Sequence, residues 1–293
     1  MKFDFKYEEP KVVAEIGCNH MGSMDIAKEL IDLAKGSGVK YVKFQTRDND
    51  WWLSVKPEWS EAHPNPENSY GDTYYKHREA LEFTIKQHKE LKRYCEDIDM
   101  VYSTSVWDVN SARGIVSIEP EFIKVPSACN TNFEMLKVLR DEYHGDIQLS
   151  IGMTTKDEID EIVKFFEIND SAKSRLMIYS CTSGYPVPAY DVALLEISYL
   201  YEKYGDRVFE IGFSGHHLGT AIDIAAYTLG ARWIERHFTK DRRWKGTDHS
   251  ASLEPSELAE LNRGLLDVYQ ALQYKSEELL DIEIVQRKKL KEI

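Results

Sequence analysis

Short apolar segments alternate with longer amphipathic ones along most of the chain. Residues 12–16 predict a buried strand. In 25–35 (DIAKELIDLAK), Ile26, Leu30, Leu33 and Ala34 share one helical face, closed off by Gly36 and Gly38. Residues 41–45 predict the next strand. The period then lapses, because 46–75 is rich in Trp, Pro, Asn, Ser and Asp. This stretch predicts a long excursion above the barrel rather than a separate domain, with Trp51, Trp52 and Trp59 either capping the site or, the favoured reading, packing the excursion itself. Alternation resumes with helices at 84–95, 110–116, 133–141, 156–166, about 192–204 and 220–229. Strands at 101–104, 122–125, 148–151, 176–180, 209–213 and 232–237 interleave with them, and a last helix starts at Pro255-Ser256. Eight strand–helix units in series predict an α/β fold of the closed (β/α)8 barrel type, a TIM barrel, with functional groups at the C-terminal ends of the strands. The barrel domain is assigned to 1–275, including an N-terminal extension. Residues 276–293, acidic then basic, form a helical tail that is either a solvated helix or a dimer contact.

Composition narrows the function. A chain of 293 residues is ordinary for one α/β barrel. A formal net charge of −13 excludes a nucleic-acid surface but leaves anionic small substrates open if the positive charge is local. The four cysteines, Cys18, Cys95, Cys129 and Cys181, show no CxxC spacing, so no disulfides and a reduced, cytoplasmic setting are expected. The first ten residues lack an apolar signal region, and no apolar run is long enough for a bilayer, so no membrane association is expected.

The informative residues are the polar ones ending each strand. They are Glu15 on the first, Lys43 and Gln45 on the second, Ser103 and Thr104 on the third, and Lys124 and Ser127 on the fourth. The fifth gives Ser150, the sixth Ser183 and Tyr185, the seventh Ser214 and His216, and the eighth Glu235 and His237. Two strand-borne lysines within a ring of hydroxyls suit a carboxylate or phosphate. Alternatively, they pair with Glu15 or Glu235 as barrel-end bridges. His216 and His237 end adjacent strands and either share a divalent metal or hydrogen-bond to neighbours, since no HxH or HExxH signature is present. His217 alternates to the other face, and His20 and His249 are supporting residues. Asp248 orients a hydroxylated substrate, acts as a base, or simply closes a turn. Arg242, Arg243 and Lys245 make a local cationic cluster that either meets a substrate phosphate or is a solvated face. P-loop, dinucleotide and GxSxG signatures are absent.

At these residues the chain resembles the sialic acid synthase family, through AEIGCNHMG, VKFQT, YSTS, IKVPSACNTN, LSIGM, CTSGYPVP, GFSGHHLG, ERHFT and KGTDHSASLEP in that order. SGHH and WKGTDHSASLEP are most similar to the animal-type members, which use N-acetylmannosamine 6-phosphate. The resemblance implies phosphoenolpyruvate-dependent condensation with N-acetylmannosamine, its 6-phosphate or a similar aldose, giving a 3-deoxy-2-keto nonulosonic acid and phosphate. It implies a divalent metal on His216 and His237, usually Mn2+, with Mg2+ or Co2+ as alternatives. It places phosphoenolpyruvate at Lys43, Thr104, Lys124, Ser127, Ser150, Ser183 and Ser214, and the metal and acceptor at Glu15, Gln45, Tyr185 and Asp248. Two departures concern the acceptor. Cys129 stands where the family usually has an acidic residue, and the C-terminal antifreeze-like domain, whose arginine reaches the partner's sugar site, is expected to be missing. Arg243 is the candidate to replace that arginine, and pairing into a homodimer is a further expectation. The alternatives are a synthase of an eight-carbon or deaminated nine-carbon keto acid, and a non-catalytic sugar-binding barrel.

Overall fold

The computed structural model describes residues 7–291, so the N-terminal extension before Tyr7 and the last two residues of the tail lie outside the described residues. Eight parallel strands close into a barrel in sequence order: β1 Lys11–Gly17, β2 Tyr41–Thr46, β3 Val101–Val106, β4 Phe122–Val125, β5 Asp146–Ser150, β6 Leu176–Cys181, β7 Glu210–Gly215 and β8 Trp233–His237. The helices between them are α1 Met24–Gly36, α2 Asn49–Val55, α3 Tyr74–Leu81, α4 Ile85–Asp97, α5 Val109–Val116, α6 Phe133–Glu142, α7 Lys156–Glu167, α8 Ser171–Arg175, α9 Glu196–Tyr204 and α10 Ala221–Thr228. Helices α11 Pro255–Ala271 and α12 Asp281–Leu290 complete the chain. The expected barrel is therefore present with its eight units.

Local chemistry accounts for the helix starts. Thr84 with Gln87 and Thr155 with Glu158 form reciprocal capping boxes at α4 and α7. Pro255 occupies the first turn of α11, where a missing N–H costs nothing. In α1 the fully buried residues are Ala27, Leu30, Ile31 and Ala34, so the core-facing stripe is turned by about one residue from the expected one, with Ile26 and Leu33 on its flanks. Helix α9 begins later than its pattern suggests, because Ala193 adopts a left-handed φ of 53° that a helix cannot include. The excursion after β2 holds α2 and α3, and its tryptophans pack on one another as expected: the Trp52 and Trp59 rings stack at 5.4 Å, with Trp51 edge-on to Trp52 at 5.2 Å.

The main core lies between the barrel and its helices. A second, smaller cluster of Val13, Phe122, Met177, Tyr179 and Trp233 plugs the barrel interior. Above this plug the inward positions turn polar, so the barrel has an apolar floor and an ionic upper layer. Helix α12 buries none of its residues. Among the described residues no helix is long and apolar enough to cross a membrane.

Candidate active site

A cavity of about 350 Å³ opens at the C-terminal ends of the strands. Strand alternation decides what faces it. Lys43 pairs in register with Glu15 on one side and Ser103 on the other, and Gln45 with Ser105, so these side chains share the interior face. Lys43 contacts Glu15 and lies 2.6 Å from Ser105 Oγ. Lys124 donates to Glu235 at 2.7 Å, and Ser214 donates to the other oxygen of Glu235 at 3.1 Å. The two lysines and two glutamates balance in charge. Burial works against ionisation of Glu235, but Lys124 and Lys43 outweigh it and hold its carboxyl below the usual range. Burial dominates at Glu15 and raises it in spite of Lys43. One carboxyl is thus held ionised while its neighbour gains affinity for a proton, the divergence that acid and base roles require.

Two glycines give the cavity its close quarters. Gly17, at a φ of +52° where the β1–β2 register shifts, leaves room that a Cβ would fill at 2.9 Å from Gln45 Nε2, 3.0 Å from Glu15 Oε1 and 3.5 Å from Asp248 Oδ2. A Cβ at Gly152 would collide with Ser183 Oγ and lie 2.8 Å from Ser127 Oγ. Glu15, Gln45 and Asp248 therefore converge on one side, and Ser127 and Ser183 on the other.

His216 and His237 face each other with ring centroids 5.5 Å apart, and the Tyr185 ring lies 4.4 Å from His216. The Thr182 carbonyl, 3.0 Å from His216 Nδ1, can only accept, so Nδ1 carries the proton and Nε2 keeps its lone pair. Burial, helped by His237, pushes His216 down to about 3, which keeps the ring neutral. His237 Nδ1 is buried without a hydrogen-bond partner among the described residues, 3.8 Å from Asp248 Oδ2. Such a pair of imidazoles with a carboxylate beside it fits a divalent cation. Among the described residues no group of three or more His, Cys, Asp or Glu forms a ready shell, so water or substrate oxygens would have to complete it.

The NeuB family model matches residues 30–277. The chain belongs to the NeuB family. It is 36% identical over 279 residues to human N-acetylneuraminate-9-phosphate synthase, covering 95% of this chain and 76% of that protein. It is 31% identical over 261 residues to N,N'-diacetyllegionaminic acid synthase of Campylobacter jejuni, covering 89% and 77% respectively. Among solved structures, the N-acetylneuraminic acid synthetase of Leptospira borgpetersenii in complex with citrate superposes with a TM-score of 0.81. That match is 26% identical and covers 99% of this chain and 96% of that one.

In this NeuB-family barrel, Glu15, Lys43, Gln45, Lys124, Ser127, Ser150, Ser183, Tyr185, Ser214, His216 and His237 all line the one cavity, and Asp248 stands at its edge. Two expected residues do not reach it. Thr104 points outward, its hydroxyl 2.8 Å from Thr46 Oγ1 in the layer beneath α4, and Ser105 takes the inward place. Arg243 is exposed and bonded to Asp241, while Arg242 pairs with Glu257 and Lys245 lies over the Tyr70 ring, so the cationic cluster is dispersed. The lysines' two readings coincide, since they pair with the glutamates and line the cavity together. His217 faces away, toward Asp223 and Arg236. Cys129 donates to the Trp107 carbonyl at 3.2 Å, outside the cavity lining, and burial pushes its thiol up to about 12. Ser105, Trp107 and Glu235 line the cavity too, although the sequence assigns none of them a substrate. Strict two-residue alternation from Lys43 and Gln45 across the β2–β3 register selects Ser105 over Thr104.

Proposed function

We propose that this chain catalyses the phosphoenolpyruvate-dependent condensation of N-acetylmannosamine, its 6-phosphate or a similar aldose to a 3-deoxy-2-keto nonulosonic acid, with release of phosphate. The observation that carries the reading is the ionic layer: two buried lysines and a ring of hydroxyls beside a histidine pair at one barrel mouth. Lys43, Lys124, Ser127, Ser150, Ser183 and Ser214 hold the carboxylate and phosphate of phosphoenolpyruvate, replacing its water with fixed donors. Glu235 braces Lys124, and Glu15 with Ser105 braces Lys43, so both lysines are aimed inward. Asp248 accepts from an acceptor hydroxyl, and Tyr185 closes the mouth over it. His216 and His237 would hold a divalent metal, Mn2+ first, with Mg2+ or Co2+ as alternatives, supplying Lewis-acid polarisation of the acceptor's aldehyde oxygen. The enol C3 forms the new bond to the aldehyde carbon, and Glu15 delivers a proton to the aldehyde oxygen. Water adds at C2 and loses a proton, and the C2–O bond to phosphate breaks. A cytoplasmic setting is part of this reading, supported by four unbridged cysteines. Pairing of two copies is supported by the exposed Ile282, Val285 and Leu290 of α12. The test is phosphate release from phosphoenolpyruvate with Mn2+. The reading predicts release only when an acceptor is added, and equal release with and without one would reject it.

A further inference from the structure

We propose that Arg47 is a positioning residue that sets the acceptor half of this site by fixing the side-chain amide of Gln45. The inference rests on the reading above for which substrate Gln45 faces, and on geometry for the rest.

Arg47 is the first residue after β2, and its side chain is only 6% exposed. Three contacts immobilise it. Glu82 accepts from its backbone N–H at 3.2 Å and from Nη1 at 3.0 Å, and its guanidinium lies 3.6 Å from the centroid of the Trp107 ring. Its remaining arm, Nη2, donates to Gln45 Oε1 at 2.7 Å. A guanidinium cannot accept, so the oxygen of the Gln45 amide must face Arg47. The amide nitrogen is thereby turned the other way, where it donates to Glu15 Oε1 at 2.9 Å beside the space left by Gly17 and next to Asp248.

A flipped amide would set its oxygen against the Glu15 oxygen, which is repulsive while Glu15 is ionised and forfeits the donor in either case. The second N–H of Gln45 has its direction fixed at the same time. Lys43 approaches Glu15 from its other oxygen and is braced by Ser105, and Lys124 is braced by Glu235, so both lysines of the enol-phosphate half keep direct braces of their own when Arg47 is lost. Arg47 thus acts on one substrate and not on the other. A merely structural ion pair would affect both substrates through stability.

The experiment is titration calorimetry with N-acetylmannosamine 6-phosphate and, separately, phosphoenolpyruvate, on wild type, Arg47→Met, Arg47→Lys, Gln45→Leu and the Arg47→Met/Gln45→Leu double variant. Turnover is measured in parallel. Arg47→Met is expected to weaken sugar-phosphate binding about tenfold or more, the scale of one charge-assisted hydrogen bond, with phosphoenolpyruvate binding changed less than about twofold. Arg47→Lys, which keeps the charge but not the fork, recovers only part of the loss. In the Gln45→Leu background the Arg47→Met change has no further effect, because both act through one group. Unchanged sugar binding in Arg47→Met, equal losses for both ligands, or additive losses would overturn the inference. If Arg47→Met fails to fold, Arg47→Gln, a polar replacement that leaves the Arg78–Glu82 pair untouched, must give the same one-sided loss. Wild type that binds the sugar phosphate without releasing phosphate contradicts the proposed function while leaving this test readable; if wild type binds N-acetylmannosamine in place of its 6-phosphate, that sugar serves in the same titrations, and wild type that binds neither overturns both.

Discussion

Lys124 and Glu235 show how much depends on single side chains at this site. Each is buried, and each satisfies the other at 2.7 Å. Lys124→Met is expected to leave Glu235 short of its nearer counter-charge, lowering unfolding free energy by about 3 kcal/mol in urea titrations and raising the phosphoenolpyruvate KM at least about tenfold. Arg243→Glu should leave the acceptor KM unchanged, since Arg243 lies in solvent against Asp241. A large rise there would return Arg243 to the site. These two residues also mark what the sequence discloses. Lys124 sits on a strand, where a period of two states which way it points. Arg243 sits in a loop, where no period exists, and its partner two residues away could not be anticipated from charge alone. Thr104 and Ser105 are both hydroxyl residues on one strand, and only the register with β2 separates them. Arg47 is harder still, because its partner Glu82 comes from the far end of the excursion.

Elements show the same division. Strands and helices with a clean period appear close to their expected bounds, whereas α2 arises inside the aperiodic stretch and α3 starts at its end, held by side-chain caps from Asp48 and Thr73. At the foot of β5, burial lifts Asp146 to about 6, with Lys11 pulling the other way. The folded chain keeps a proton there that the unfolded chain releases near pH 4, so this group's contribution to stability falls as pH rises from about 4 to about 6. Asp146→Asn is expected to remove that fall. It should gain about 1 kcal/mol on wild type at pH 7, a modest figure because the group is only partly buried, and little at about pH 3.5, as read from denaturation at the two pH values. Helix α12 makes the opposite case. With no buried residue, its removal at residue 276 should leave the unfolding midpoint of the dilute single chain unchanged; a drop that persists on dilution would show that it packs on the barrel, and one that grows with protein concentration would show that it serves pairing.

At the scale of the molecule, the barrel divides its labour by height. The aromatic floor stabilises the sheet without any ligand, and the ionic layer and histidine pair above it are free to serve binding. Metal should therefore act on a finished fold. Mn2+ added to chelator-treated protein is expected to raise the unfolding midpoint by mass action, and His216→Ala to abolish that rise. The central claim is the condensation itself, and one measurement meets it directly: mass spectrometry of products formed with Mn2+ from phosphoenolpyruvate carrying 18O in its C–O–P bridge and a mixture of hexosamines, hexoses and their 6-phosphates. The account predicts labelled phosphate together with an unlabelled nine-carbon keto acid. Absence of any condensation product, or label retained in the sugar acid, would contradict it.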